Sequence, residues 1–198
     1  MRPWLPLVTL CAVLFPALPA AAQSFSYGGR GGLSISNISF DPNTFTGAPD
    51  GVGLIAGGFI GVPLFGRVSL QGEAAYAETR VVLEDIVHDT MKYLDVPILV
   101  RYRVFGTAPK MRVHAIGGVV WSSLLSAKEV VGSSTADLTD GVESSDLSLA
   151  IGGEVEVFPR WLVDVRYLFG LDEVYKQFNA PSFGLRRGLQ ITAIYRVH

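Results

Sequence analysis

At 198 residues, 49% of them hydrophobic and 17% charged, the chain is too apolar to be disordered and long enough for a sizeable domain. A formal net charge of −2 offers nucleic acid nothing to bind. The single cysteine, Cys11, lies in the leading segment, so disulfides do not hold the rest together.

Residues 1–22 read as a secretory signal peptide. Arg2 stands near the start, an apolar stretch comes next, and Ala20, Ala21 and Ala22 form a small-residue cleavage site before Gln23. Residues 23–198 are then one domain. Losing Arg2 leaves 15 basic residues against 18 acidic ones, a net charge of −3.

Eight strands are predicted beyond residue 22, and hardly a helix. The first covers 25–36, opening on "YGGRGGLSIS". The second, 52–64, lies within "GVGLIAGGFIGVPLFG", a charge-free run of sixteen residues with six glycines and one proline. That run is short for a membrane helix and poor in helix formers, whereas in a strand glycine and proline mark bends and ends. From the third strand onward the period is two. Over 67–80, Val68, Leu70, Gly72, Ala74 and Tyr76 alternate with Ser69, Gln71, Glu73, Ala75 and Ala77. The fourth, 92–105, holds "KYLDVPILVRYR". There Leu94, Val96, Ile98, Val100 and Tyr102 share one face, and Tyr93, Asp95, Pro97, Leu99, Arg101 and Arg103 the other. Pro97 has no N–H to give a ladder, so a bulge or a locally broken ladder is expected there. The remaining strands fall near 111–127, 147–158, 161–172 and 184–197, the last three again with one apolar and one polar face.

The connections alternate. Tight turns near 65–66, 106–110 and 159–160 interleave with longer polar stretches near 37–51, 81–91, 128–146 and 173–183. An even strand count with alternating short and long connections describes an eight-stranded antiparallel up-and-down transmembrane β-barrel of the bacterial outer membrane. A soluble ligand-binding barrel is the competing solution, with its apolar face inward. The charges decide between them. Glu73, Asp95, Glu154, Glu156 and Asp164 lie on the polar faces, as do Arg30, Arg101, Arg103, Arg112, Arg166, Arg186 and Arg196. Every base among them is arginine, suited to multidentate pairing with carboxylates in a confined lumen. These twelve are expected as structural lumen charges. On the apolar faces, Trp161 and Phe169 are separated by roughly 20 Å of membrane normal, the height of a lipid belt between aromatic girdles.

The mature chain resembles the small outer-membrane barrels described as PorT-like or as the outer membrane protein beta-barrel domain. The pieces that carry this are "YGGRGGLSIS", "RVSLQGEAAYAE", "MKYLDVPILVRYRV", "GGVVWSSLLSAKEV", "SLAIGGEVEV" and "LVDVRYLFGL", in that order over 25–198. "YLDVP" and "DVRYLFGL" are the more specific. The resemblance implies an eight-stranded barrel, exported through the periplasm into the outer membrane, and, for some relatives, an accessory role in secretion or transport. It departs at the end, where Val197 stands in the slot such barrels often give to phenylalanine.

Chemistry has few candidates. Only His88, His114 and His198 could supply an imidazole, and none stands at a spacing with serine and a carboxylate that makes a catalytic motif. His88 lies in an acidic stretch with Glu84, Asp85 and Asp89; His114 reads as a hydrogen-bonding lumen residue beside Arg112. Glu154 and Glu156, on one strand face opposite several arginines, read as structural partners rather than an acid pair for catalysis. Asp137, Asp140, Glu143 and Asp146 depart from calcium-loop spacing and read as a solvated acidic loop. No metal, no cofactor and no enzymatic activity are expected, and eight strands leave room for side chains rather than a permanent pore. The expected reading is a non-enzymatic barrel of the cell envelope, serving integrity, adhesion or partner contact through external loops. Outer-membrane lipid, including lipopolysaccharide, is the expected surrounding; a protein partner would bind at the loops, and barrel closure suggests a monomer. A lipid-modifying enzyme is the remaining alternative.

Overall fold

The computed structural model describes residues 25–39, 51–83, 87–106, 111–131, 134–137, 144–173 and 185–198. The strands are β1 (Ser26–Ser39), β2 (Gly51–Phe65), β3 (Val68–Leu83), β4 (Val87–Phe105), β5 (Val113–Val131), β6 (Ser134–Asp137), β7 (Ser145–Phe158), β8 (Trp161–Glu173) and β9 (Leu185–Arg196). Eight of them form the wall, each antiparallel to its neighbours in sequence, with β5 passing directly to β7. β1 and β9 close it, from Gly28↔Arg196 to Ser39↔Leu185. Closure leaves no edge in the eight-stranded wall, which is what lets strands cross hydrocarbon without exposing unpaired backbone groups.

Alternation in the sequence becomes inside and outside in the barrel. Leu94, Ile98, Val100 and Tyr102 are exposed on β4, while Tyr93, Asp95, Leu99 and Arg101 are buried. On β8, Trp161, Val163, Val165 and Phe169 face out, and Leu162, Asp164, Arg166 and Leu168 face in. Large apolar side chains therefore make the outer surface and ionisable ones the interior, the inverse of a water-soluble barrel. Aromatic groups mark the rims. Trp161 lies 5.0 Å from Tyr195 across β8–β9, and Tyr167 4.5 Å from Phe169 toward the opposite end. The short turns, with both ends of the described chain, gather at one mouth, which is the periplasmic one. Two turn glycines there, Gly66 (φ 55°) and Gly106 (φ 94°), take a left-handed conformation that other residues enter only with strain.

Several strand ends differ from expectation. β3 and β4 continue to Leu83 and from Val87, where a loop was expected over 81–91. His88 and Asp89 are thus strand residues, opposite Val82 and Val81, and their side chains lie outside the described residues. β5 runs to Val131, and β6 pairs with its end from Lys128↔Asp137 to Val131↔Ser134, inside the stretch expected as a loop over 128–146. Above the membrane both faces of a hairpin meet water, so the hydrophobic alternation fades while the ladder continues.

Pro97 interrupts one ladder without a bulge. Pairing of β4 with β3 lapses between Asp95 and Ile98, yet Ala75↔Asp95 and Gly72↔Ile98 share one register. On the other side Pro97 pairs with Val120. A missing N–H accounts for such a gap, and the intact neighbour ladder holds the strand in place.

Candidate functional site

The interior is stacked in layers, which β8 and β9 order through their register: Asp164↔Thr192, Arg166↔Gln190 and Leu168↔Gly188, with Arg186 one step beyond Gly188 toward the outside. At mid-barrel sit two arginines and two carboxylates, all with fully buried side chains. Arg166 donates from Nη1 and Nη2 to the two oxygens of Glu73, each at 3.0 Å. Its Nε and Nη2 also reach Asp164, at 2.9 and 3.0 Å. Arg30 Nη1 donates to Glu73 Oε2, and Arg30 Nη2 to Thr192 Oγ1 at 3.2 Å, with Asp164 Oδ1 at 3.5 Å. Gln71 Nε2 completes Glu73 at 2.8 Å. The layer is neutral, and the Arg166 guanidinium is bonded through all three nitrogens to the two carboxylates, whereas the buried Arg30 Nε has no partner among the described residues.

Outward of this layer the lumen turns apolar, with Leu99, Val120, Ala150 and Leu168 in one cluster and Ile55, Ala75 and Ala77 in another. Next comes Arg186. Its Nη2 lies 3.5 Å from Asp95 and donates to Ser122 Oγ at 2.9 Å, its Nε lies 3.4 Å from Asp146, and its guanidinium caps the Tyr93 ring at 4.6 Å. Asp146 was expected in a solvated acidic loop; instead it is buried at the start of β7, drawn inward by this arginine and by Ser148. The cavity beside Arg186 measures about 10 Å³, room for about one water.

Toward the periplasm the packing opens. Arg101 pairs with Glu154 through Nε at 2.7 Å and through Nη2. Arg112 grips Glu156 with a two-pronged contact at 2.8 and 2.7 Å, and Arg196 approaches the same carboxylate at 3.5 Å. Arg103, Arg112 and Arg196 are only half-buried, so they belong to the mouth rather than to the packed lumen. His114 also faces this mouth, and its Nδ1 has no hydrogen-bond partner among the described residues. His198 lines the mouth too, near Tyr27. The vestibule holds about 430 Å³.

Sequence reasoning placed the twelve charged residues on inward faces, and the register brings eleven of them into four groups: Glu73–Asp164–Arg30–Arg166, Asp95–Arg186, Arg101–Glu154 and Glu156–Arg112–Arg196. Arg103 joins none of these. Missed altogether were the inward apolar residues Phe59, Leu162 and Ile194, which form a cluster on the β2–β8–β9 side. On β8 and β9 the signal was the strand period counted from Asp164 and Thr192, whereas β2 holds no charged residue from which to count to Phe59. Among the described residues no group of three or more His, Cys, Asp or Glu could hold a metal ion.

A closed eight-stranded barrel with an apolar belt and an ion-paired interior defines a bacterial outer-membrane protein. The chain belongs to the outer membrane protein beta-barrel domain family, which matches residues 21–176. No curated protein matches it significantly in sequence. Among solved structures it is similar to Neisserial surface protein A, at 13% identity over 88% of this chain and 98% of that one, with a TM-score of 0.52. It is also similar to Ail, the attachment invasion locus protein of Yersinia pestis, at 16% identity over 86% and 97%, with a TM-score of 0.48. The Escherichia coli outer membrane protein W matches at 10% identity over 88% and 98%, with a TM-score of 0.46.

Proposed function

We propose that this barrel is not an enzyme and works at the cell surface, in envelope integrity, adhesion or contact with a partner, through the connections at its outer end. The observation that carries this is a division of labour along the axis. Among the described residues the lumen around Arg186 is packed, with a cavity of about 10 Å³ beside it. Meanwhile β3, β4 and β5 continue as paired strands past the belt residues Tyr76, Leu94 and Trp121, and β6 extends that sheet. From Leu94 to Val87 the strand climbs roughly 15–20 Å. Filled lumen and raised hairpins suit a rigid support for recognition better than a conduit. Lipid, including lipopolysaccharide, surrounds the belt, and closure within one chain suits a monomer. The signal peptide over 1–22 supplies the export such a role needs.

A deletion strain compared with its parent for outer-membrane permeability, surface adhesion and secreted proteins tests the reading. Altered permeability or adhesion with unchanged secretion supports it. Selective loss of secreted proteins favours the narrower kinship with PorT-like barrels, which "YLDVP" and "DVRYLFGL" support, and an accessory role in secretion. A change in lipid A or phospholipid structure that is reversed by the wild-type gene but not by a His88, His114 or Glu154 variant overturns the non-enzymatic reading.

A further inference from the structure

The periplasmic mouth carries more positive charge than its own partners neutralise. Arg67, Arg101, Arg103, Arg112 and Arg196 line the 430 Å³ vestibule. Two carboxylates pair with them: Glu154 with Arg101, and Glu156 with Arg112 and Arg196. Among the described residues, five guanidinium side chains against two side-chain carboxylates leave a side-chain excess of three positive charges with histidine neutral. Arg103 and Arg67 have no carboxylate within ion-pair distance among the described residues; Arg67 Nη1 reaches only the Val104 carbonyl, at 3.4 Å.

These two arginines are held together by the fold. The Arg103 N–H donates to the Arg67 carbonyl at 2.9 Å, so the β2–β3 turn and the end of β4 present both side chains at one point of the rim. They are also shared by two cavities. One is the vestibule; the other, of about 270 Å³, runs from Arg67 and Arg103 past Val104, Phe105 and Gly106 on the outer wall. Val104 and Phe105 are exposed there, in the band that meets the inner leaflet. The pair thus stands between an aqueous mouth and the lipid surface, with one open space on each side.

We infer that Arg67 and Arg103, backed by the vestibule arginines, bind a phosphoryl group at the periplasmic face, carried either by a free polyphosphate anion or by the headgroup of an inner-leaflet phospholipid. The chemistry comes from the groups themselves. Guanidinium donors arranged in planar forks match phosphate oxygens two at a time, with Arg103 half-buried at the mouth and Arg67 exposed on the rim beside it. An anion with two to four charges meets the excess of three without displacing Glu154 or Glu156.

The test uses the full barrel purified from outer membranes in a non-ionic detergent at low salt. Isothermal titration with inorganic pyrophosphate reports the free anion. Native mass spectrometry after exposure to phosphatidylglycerol or to a neutral diacylglycerol lipid reports the headgroup. The proposal expects one pyrophosphate, one phosphatidylglycerol, or both to bind. Replacing both arginines (Arg67→Gln with Arg103→Gln) should weaken the bound species about tenfold or more. Arg160→Gln, in the β7–β8 turn outside both cavities, should change it less than about twofold. Heat-dependent gel migration confirms that each variant is folded. Retention of pyrophosphate alone assigns a soluble ligand, and retention of phosphatidylglycerol alone assigns the headgroup. Absence of both, or an equal loss in the Arg160→Gln protein, overturns the inference.

Discussion

Replacing Arg166 by methionine tests whether the middle layer is a coupled unit. Arg166 is 1% exposed and makes four bonds of 2.9–3.0 Å, two to Glu73 and two to Asp164. Methionine keeps the length and removes the charge. Glu73 would retain Arg30 and Gln71, whereas Asp164 would retain Thr192 and an Arg30 nitrogen at 3.5 Å. Two carboxylates would then share one arginine in a dry lumen, a net charge of −1. Breaking a buried pair typically costs about 3–5 kcal/mol, and because Arg30 remains between the two acids the lower end applies, about 3 kcal/mol. That is roughly a 150-fold fall in the folding constant. Urea unfolding in phospholipid vesicles, followed by tryptophan fluorescence and heat-dependent gel migration, measures it. Adding Glu73→Gln restores neutrality and should recover about half of the loss, because the second change removes the orphaned charge. A single variant within about 0.5 kcal/mol of the parent, or a double variant whose losses simply add, would falsify the coupled layer.

Glycine positions give a sharp contrast. A Cβ on Gly152 would lie 2.2 Å from the Val165 carbonyl oxygen and 2.6 Å from Arg166 Cα, while one on Gly72 meets nothing within 4 Å. Gly152→Ala should therefore cost about 2 kcal/mol or more in urea unfolding, and Gly72→Ala less than about 0.5 kcal/mol. The chain has three tryptophans, and outside the leading segment only Trp121 and Trp161 remain, both exposed on the belt. Lipids brominated near the headgroup should quench their fluorescence more than lipids brominated near the chain ends; the reverse order would contradict their girdle positions. In planar bilayers the parent should show no steady open channel. Arg30→Ala combined with Glu73→Ala removes two long side chains from the middle layer and should raise small-ion leakage severalfold; an unchanged trace would mean the occlusion lies elsewhere.

The wall was legible because lipid and lumen demand opposite chemistry at alternate residues. A sequence such as "KYLDVPILVRYR" records that contrast at every step, and the observed faces of Leu94 to Arg103 agree with it. The pairings were not legible. Arg30 and Asp164 are 134 positions apart, and what brings them together is the stagger of eight strands around a closed ring, which no local pattern encodes. Asp146 was misplaced because it comes after the acids Asp137, Asp140 and Glu143 and resembles them in composition. Only the count of twos along β7, from Glu156 back through Glu154, Ala150 and Ser148, puts it inside. Leu162, Leu168 and Ile194 escaped for the converse reason: an apolar residue between apolar residues leaves no alternation to read.

The distribution of charge along the axis has a physical logic that separates support from function. Deep in the lumen, where water cannot screen, the layers are built close to neutrality: two arginines with two acids at the middle, and Arg101 with Glu154 beside them. An unpaired charge there would oppose closure of the barrel. Among the described residues, excess charge lies toward the ends. Arg186 stands between two carboxylates at the outer end, and among the described residues the arginines lining the periplasmic mouth outnumber its side-chain carboxylates by three. At the mouth Arg103, Arg112 and Arg196 stay half-buried, so solvent lowers the cost of holding like charges together. Closure of the ladder and the ion pairs of the deeper layers do not require that excess. An arrangement that stability leaves unexplained, placed where solvent and lipid both have access, is where a ligand of the barrel itself should be sought.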